Sequence, residues 1–339
     1  MSASFSTTSL KGSGVDIIEV YLTFVISLSC VFENNHFGFA CKVYQTIKER
    51  VDFDLYYMND GFDSSIPQPK NAWSLGSYNE IAIFFLPVSA HLVKLCNVSS
   101  DDRVLDVACG TGNTAITASR KGAKVTGIDI TPQMLTQAKA EATLAEADGI
   151  KWVEGDAEDL PFEDGSFDVV LSSFGHMFAP QPKAAIREML RVTEPGGRIA
   201  FATWPPEHAN GRMFEAMAKH ISPTPPTPPS TLSSFSSHNN RPPPSPMQWG
   251  NPEVVKKRLG SDVINIHFER GVIKKPVLSP NHYWETSSTK GGALIQAIQT
   301  IKDPQKIESL RNDILQAIIP YLCENILRLD YLITVATKA

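Results

Sequence analysis

The stretch VLDVACGTGNTA, residues 104–115, runs from apolar residues into an acid and then into two glycines spaced by one residue. An apolar run that meets such a pair and continues into small, helix-compatible residues reads as a strand, a tight turn and the first turn of a helix. Glycine is the residue that permits both the reversal and the close approach of backbone to a ligand. A turn of this kind can cradle the pyrophosphate of a dinucleotide, seat another adenosine cofactor, or simply join a strand to a helix.

Outward from that turn, short β-branched runs alternate with longer helical patterns, which predicts an α/β domain with a mostly parallel sheet. Strands are expected at 104–107, 124–129, 150–154, 167–173 and 198–203, and helices at 114–121, 132–147 and 182–192. Thr131 followed by Pro132 reads as a helix N-cap, and Gly196-Gly197 as a helix end. Further along, the pattern predicts a helix at 252–259, a strand at 264–269, helical spacing over 292–318 and a last strand at 331–336. The tract 222–246 is so rich in Pro and Ser that it is expected to be an extended linker or lid outside any packed core. The expected organisation is an N-terminal extension over 1–70, a core over 71–220, a Pro/Ser-rich insert over 221–248, and a return to the same domain over 249–339.

A chain of 339 residues with 42% hydrophobic content can bury a substantial core. Its formal net charge of −5 offers no general attraction to nucleic-acid phosphates. The five cysteines are scattered without C-x-x-C spacing and no His-x-x-x-His pair accompanies a Glu, so neither disulfides nor a metal site is expected. The apolar segment VYLTFVISLSCVF, residues 20–32, is shorter than the roughly 18–20 residues of a membrane helix, and Asp16 and Glu19 stand where a leader carries basic residues. The expectation is a cytoplasmic protein without stable membrane insertion.

Gly110, Gly112 and Ala115, with Asp129 closing the second strand, fit a dinucleotide fingerprint loosely. Asp106 argues against it. A carboxylate just before the turn repels a pyrophosphate but suits a cofactor with cationic centres. S-adenosylmethionine has two, a sulfonium and an ammonium, together with a ribose diol for Asp129. Asp156 and Ala157, after the third strand, are placed for an adenine edge, and Ile130 and Met134 for apolar contact with the ring. Gly110 and Gly112 would let backbone pass close to the aminoacyl part.

The motifs VLDVACGTGNTA, VTGIDITPQML, EGDAEDLPFEDGSFDVVLSSFG and MLRVTEPGGRIAFATW, in this order across 102–204, resemble the class I S-adenosylmethionine-dependent methyltransferases. The likeness is to the group that includes ubiquinone and menaquinone C-methyltransferases. The resemblance implies a Rossmann-like, doubly wound sheet of seven strands in a three-layer αβα arrangement, with YLITVATK as its antiparallel last strand. It also implies that NAWSLGSYNEIA, residues 71–82, caps the cofactor through Trp73 and Tyr78, and that Ala108 and Ser173 complete the cofactor site.

Three further residues need separate readings. His176, after the fourth strand in SSFGHMF, is a candidate general base or a pocket wall, and Trp204 is placed to pack a substrate or the core. Asp168, at the start of the fourth strand, reads as structural. Enzymes that methylate the exocyclic amines of nucleic-acid bases carry an Asn/Asp-Pro-Pro-aromatic turn where this chain has SSFG, so a small organic acceptor is expected. The expected activity is methyl transfer to its O, C or N atom by in-line displacement. The alternatives are an NAD-dependent oxidoreductase and a non-catalytic S-adenosylmethionine-binding partner protein.

Overall fold

Strand β1 (Arg103–Val107) is buried from Val104 to Val107, on both faces, as only a central strand covered on two sides can be. It pairs in parallel with β2 (Lys124–Asp129) on one side and β4 (Phe167–Ser173) on the other. Beyond β2 lies β3 (Lys151–Glu154), and beyond β4 lies β5 (Thr193–Thr203), both parallel. The sheet order is β3-β2-β1-β4-β5-β8-β6. Strand β8 (Ile326–Lys338) runs antiparallel between β5 and β6 (Val263–Pro276), and a two-residue strand β7 (Leu322–Cys323) pairs with β8 off this path. The computed structural model describes residues 73–221 and 245–339, all within the unit Pro67–Ala339. The expected N-terminal extension and most of the Pro/Ser tract lie outside the described residues.

The chain leaves β1 in one direction through β2 and β3 and then returns to the other side of β1 with β4. Because parallel crossovers are right-handed, the linking helices fall on opposite faces and the strand order reverses between β1 and β4, which opens a crevice at the carboxyl ends of the strands. The helices are α1 (Tyr78–Ala82), α2 (Leu86–Leu95), α3 (Asn113–Ser119), α4 (Pro132–Leu144), α5 (Pro182–Val192) and α6 (Ala209–Ile221) before the insert. After it come α7 (Pro252–Leu259), α8 (Pro280–Lys290), α9 (Gly292–Ile301) and α10 (Pro304–Ile318). No helix among the described residues is long and apolar enough to cross a membrane.

At the opposite, amino-terminal end of the strands, Arg103 locks β1 to β4. Its backbone amide donates to Asp168 Oδ2 at 2.6 Å, while Nε and Nη2 fork onto the same carboxylate at 2.9 and 2.8 Å. The Arg103 guanidinium holds the Asp168 carboxyl well below the usual carboxylate range. Asp168 is thus a structural residue, as its place at the start of β4 predicts.

Several elements differ from the sequence expectation for local reasons. Strand β5 begins at Thr193 because Pro195-Gly196-Gly197, expected to end a helix, forms an irregularity inside the strand; Gly196 has a φ of +77°. Strand β6 continues to Pro276 because Gly271 accommodates a ring: a Cβ there would lie 2.2 Å from Tyr331. The helical spacing over 292–318 breaks at Lys302, in the left-handed region, and Asp303 then caps α10 by accepting from Gln305 N at 2.9 Å. Met247 and Trp249 are buried in a short 3-10 turn, Pro246–Gly250, so the last residues of the expected insert pack with the core.

Candidate functional site

The loop between β1 and α3 turns by placing Ala108, Gly110 and Gly112 at φ of +53°, +53° and +85°. It is tied to β2 at two points. Cys109 N donates to Ile128 O at 3.0 Å, and Gly110 N donates to Asp129 Oδ2 at 2.8 Å. The other Asp129 oxygen accepts from Thr131 N at 2.9 Å. Asp106 Oδ2 accepts from Ala115 N at 2.9 Å, while Asp106 Oδ1 is buried without a hydrogen-bond partner. Asn113 Nδ2 donates to Ala82 O at 2.7 Å and so fastens the cap segment to the start of α3.

These groups border a cavity of about 430 Å³. Of the expected cofactor residues, Asp106, Ala108, Gly110, Asp129, Ile130 and Met134 line it, as do Asp156, Ala157, Ser173 and Tyr78. Gly112 does not. A Cβ there would meet Trp152 Cη2 at 2.7 Å and Ala138 Cβ at 3.2 Å, so this glycine makes room for helix-to-sheet packing behind the turn. Asp156 Oδ1 accepts from Glu158 N at 2.9 Å, and Ser173 Oγ is buried without a partner. Over the cavity, Trp73 meets Phe178 with ring centroids 4.8 Å apart and Tyr78 at 6.3 Å.

Two buried carboxylates, Asp106 and Asp129, shape the electrostatics. Burial pushes Asp106 up to about 8, with the charge of Asp129 adding to the effect, and burial raises Asp129 as well. The Tyr78 hydroxyl is pushed up to about 12 by burial and by Asp129. Burial, then Asp106 and Asp129, raise the Cys109 thiol well above its ordinary value, which keeps it protonated and suits the packing role read from the sequence.

His176 borders the cavity, with its ring held in the core. It is fully buried, its ring packed 4.6 Å from Phe201 and 4.8 Å from Trp249, and neither ring nitrogen has a hydrogen-bond partner. Burial, with Arg258 nearby, lowers it to about 3, so the imidazole is neutral. Its position after β4 was legible, but the direction of its ring is set by Phe201 and Trp249, which arrive from distant parts of the chain.

The other end of the cavity is apolar and was largely missed. Phe174 and Trp204 stack with centroids 3.7 Å apart and planes inclined by 6°, beside Phe85, Met213 and Met217. Tyr283 and Lys275 complete this end. The sequence signal for Lys275 was available: it alternates in phase with the buried Ile273 along β6.

The methyltransferase domain family matches residues 105–201. An uncharacterised protein of Mycobacterium tuberculosis is 34% identical over 272 residues, covering 79% of this chain and 93% of that protein. A demethylmenaquinone methyltransferase of Clavibacter sepedonicus is 37% identical over 125 residues, covering 36% of this chain and 50% of that enzyme. Among solved structures, a putative methyltransferase from Bacillus halodurans superposes with a TM-score of 0.46 at 20% identity, over 74% of this chain and 98% of that one.

Proposed function

The chain belongs to the class I S-adenosylmethionine-dependent methyltransferases, and we propose that it transfers the methyl group of that cofactor to an oxygen, carbon or nitrogen of a small organic acceptor by in-line displacement. The observation that carries the reading is one cavity in which Asp106, Asp129 and Asp156, from three consecutive strand ends, adjoin an aromatic chamber. The family gives the dinucleotide alternative no support.

When bound, the cofactor supplies a methyl group on a sulfonium whose departure as a thioether is already favourable. The residues present fit it. Asp106, with an unpartnered buried oxygen, provides counter-charge for a cationic aminoacyl end, and Ser173 Oγ a second unused polar atom. Each Asp129 oxygen accepts one backbone N–H and keeps a lone-pair site for a ribose hydroxyl. Asp156 and Ala157 would hold the adenine edge, Ile130 and Met134 its ring, Ala108 and Gly110 would let backbone come close, and Tyr78 would cover the ligand. The chain's task is approximation, orientation and exclusion of water, with no dedicated acid–base pair. Residues 71–220 and 249–339 serve as one methyltransferase domain, interrupted by the Pro/Ser-rich insert over 221–248.

Calorimetric titration with S-adenosylmethionine, S-adenosylhomocysteine and NAD, followed by a panel of phenols, acidic carbon compounds and amines as acceptors, tests the proposal. Saturable binding of the first two with methyl transfer to at least one acceptor is the expected result. Binding of neither overturns it. Binding with hydrolysis alone across the panel replaces it with a non-catalytic binding role.

A further inference from the structure

Side chains alternate along a strand, so Ile273 and Lys275 share one face of β6, and the chain leaves the strand at Val277. Ile273 and Val277 are 5% and 3% exposed, whereas Lys274 and Pro276 on the opposite face are exposed. Lys275 is therefore a cation in a core register. Its Nζ lies 5.1 Å from the centroid of the Tyr283 ring and 5.3 Å from that of Phe84, and no carboxylate among the described residues pairs with it. Burial draws its ammonium down to about 8. A half-buried charge facing aromatic rings is costly to hold unless something pairs with it.

The cavity is electrostatically divided. Its acidic lining residues, Asp106, Asp129, Asp156 and Glu158, all belong to the ends of β1, β2 and β3 and the loops that follow. Among the described residues Lys275 is the one Lys or Arg that lines it, and it enters from β6. The stacked pair Phe174 and Trp204 also lines the cavity, a wall suited to a flat ring. No side chain at the Lys275 end is placed as a general base. His176 borders the cavity with a fully buried ring lowered to about 3, and the Tyr283 hydroxyl donates to Met213 Sδ at 3.0 Å and is pushed by burial up to about 12.

We propose that the acceptor is a planar aromatic compound with an acidic hydroxyl, bound as its phenolate with the oxygen against Lys275 Nζ and the ring along Phe174 and Trp204. The inference rests on the methyl-transfer reading of the same cavity. The phenol proton passes to solvent as the anion enters, because pairing with the ammonium lowers the cost of ionisation in place of a base. The oxygen lone pair then forms the O–CH3 bond while the pair of the broken C–S bond returns to sulfur. A phenolate and a sulfonium become an aryl methyl ether and a thioether.

The test is the ionisation of 4-nitrophenol, followed by its absorbance, on protein saturated with S-adenosylhomocysteine. In the wild type and in Lys275→Arg, the apparent pKa of the bound probe falls below that of free 4-nitrophenol. In Lys275→Met it does not, and the phenolate binds about 10-fold or more weakly while S-adenosylhomocysteine affinity is unchanged. Lys275→Gln, polar and uncharged, repeats the measurement in case methionine repacks the chamber. Equal probe pKa values in the wild type and both uncharged variants, or no saturable probe binding to wild type that binds S-adenosylhomocysteine, overturn the assignment. Loss of S-adenosylhomocysteine binding by the wild type is a separate readout and overturns the methyl-transfer reading.

Discussion

The Asp129 carboxylate reaches from the end of β2 across to the glycine turn after β1 and accepts the Gly110 amide at 2.8 Å. With Thr131 N on its other oxygen, this side chain braces the turn as well as facing the cavity. Sequence reasoning alone places Asp129 at an open strand end, where replacement would scarcely touch stability. The two backbone bonds change that.

Asp129→Ala is therefore expected to act twice. Hydrogen bonds to charged groups are worth about 1.5–3 kcal/mol each, so S-adenosylmethionine should bind about 10- to 150-fold more weakly. The apo protein should also lose about 1–3 kcal/mol of stability, since the amides of Gly110 and Thr131 lose their acceptor. Calorimetric titration and denaturant unfolding measure the two separately. Unchanged affinity with reduced stability would reduce Asp129 to a brace.

Asp106 should make both stability and binding depend on pH. Its folded pKa of about 8 lies above the unfolded value, so the folded state holds the extra proton, and stability falls as pH rises from about 4 through about 8. Asp106→Asn should flatten this slope relative to the wild type. A cationic cofactor favours the ionised carboxylate, so binding near neutral pH should release a proton. Calorimetry in buffers of different ionisation enthalpy detects that proton; identical apparent enthalpies in all of them would contradict the assignment.

The two glycines of the turn should separate folding from binding. In Gly112→Ala the new Cβ would lie 2.7 Å from Trp152, on a backbone that side chains rarely adopt, and a loss of about 2–4 kcal/mol is expected. In Gly110→Ala the nearest atom would be Tyr78 Cε1 at 3.7 Å, so the loss should be nearer 1 kcal/mol, from the left-handed backbone alone. Cofactor affinity should fall more in Gly110→Ala. Thermal melts and titration of both variants check the order.

His176 should contribute no limb to a pH–rate profile above pH 5. Because its folded value, about 3, lies below the unfolded one, the stability it lends is present above about 6.5 and is lost as pH falls toward 3. His176→Gln should lower the melting temperature and leave the shape of the rate profile unchanged. A displaced acidic limb would restore a proton-transfer role.

The site divides sharply in how far it could be read from sequence. The acids, the glycine turn and the apolar residues Ile130 and Met134 lie within 102–204, where each strand end is marked by its own local signals and β2, β4 and α5 have the expected bounds. The acceptor end is assembled from α6, β6 and α8, whose local signals are weak. Helix α8, PNHYWETSSTK, is rich in residues of modest helix propensity and depends on Pro280 and on Ser279 Oγ accepting from His282 N at 3.0 Å. Gly112 shows a subtler difficulty. Its left-handed turn is local and legible, but Trp152, which forbids a side chain there, belongs to β3.

The place of β8 between β5 and β6 has a consequence for biosynthesis. Among the described strands, β6 has β8 as its only neighbour in the sheet. The ribosome makes β6 first, then α8, α9 and α10, and only afterwards the strand that joins β6 to the rest. During that interval the buried face of β6 and its unpaired edge are exposed together, a combination that invites mispairing with other chains. The parallel half of the sheet can form while β6 waits. The cofactor side of the protein is thus ready during translation, and the acceptor side is completed by a late, long-range pairing.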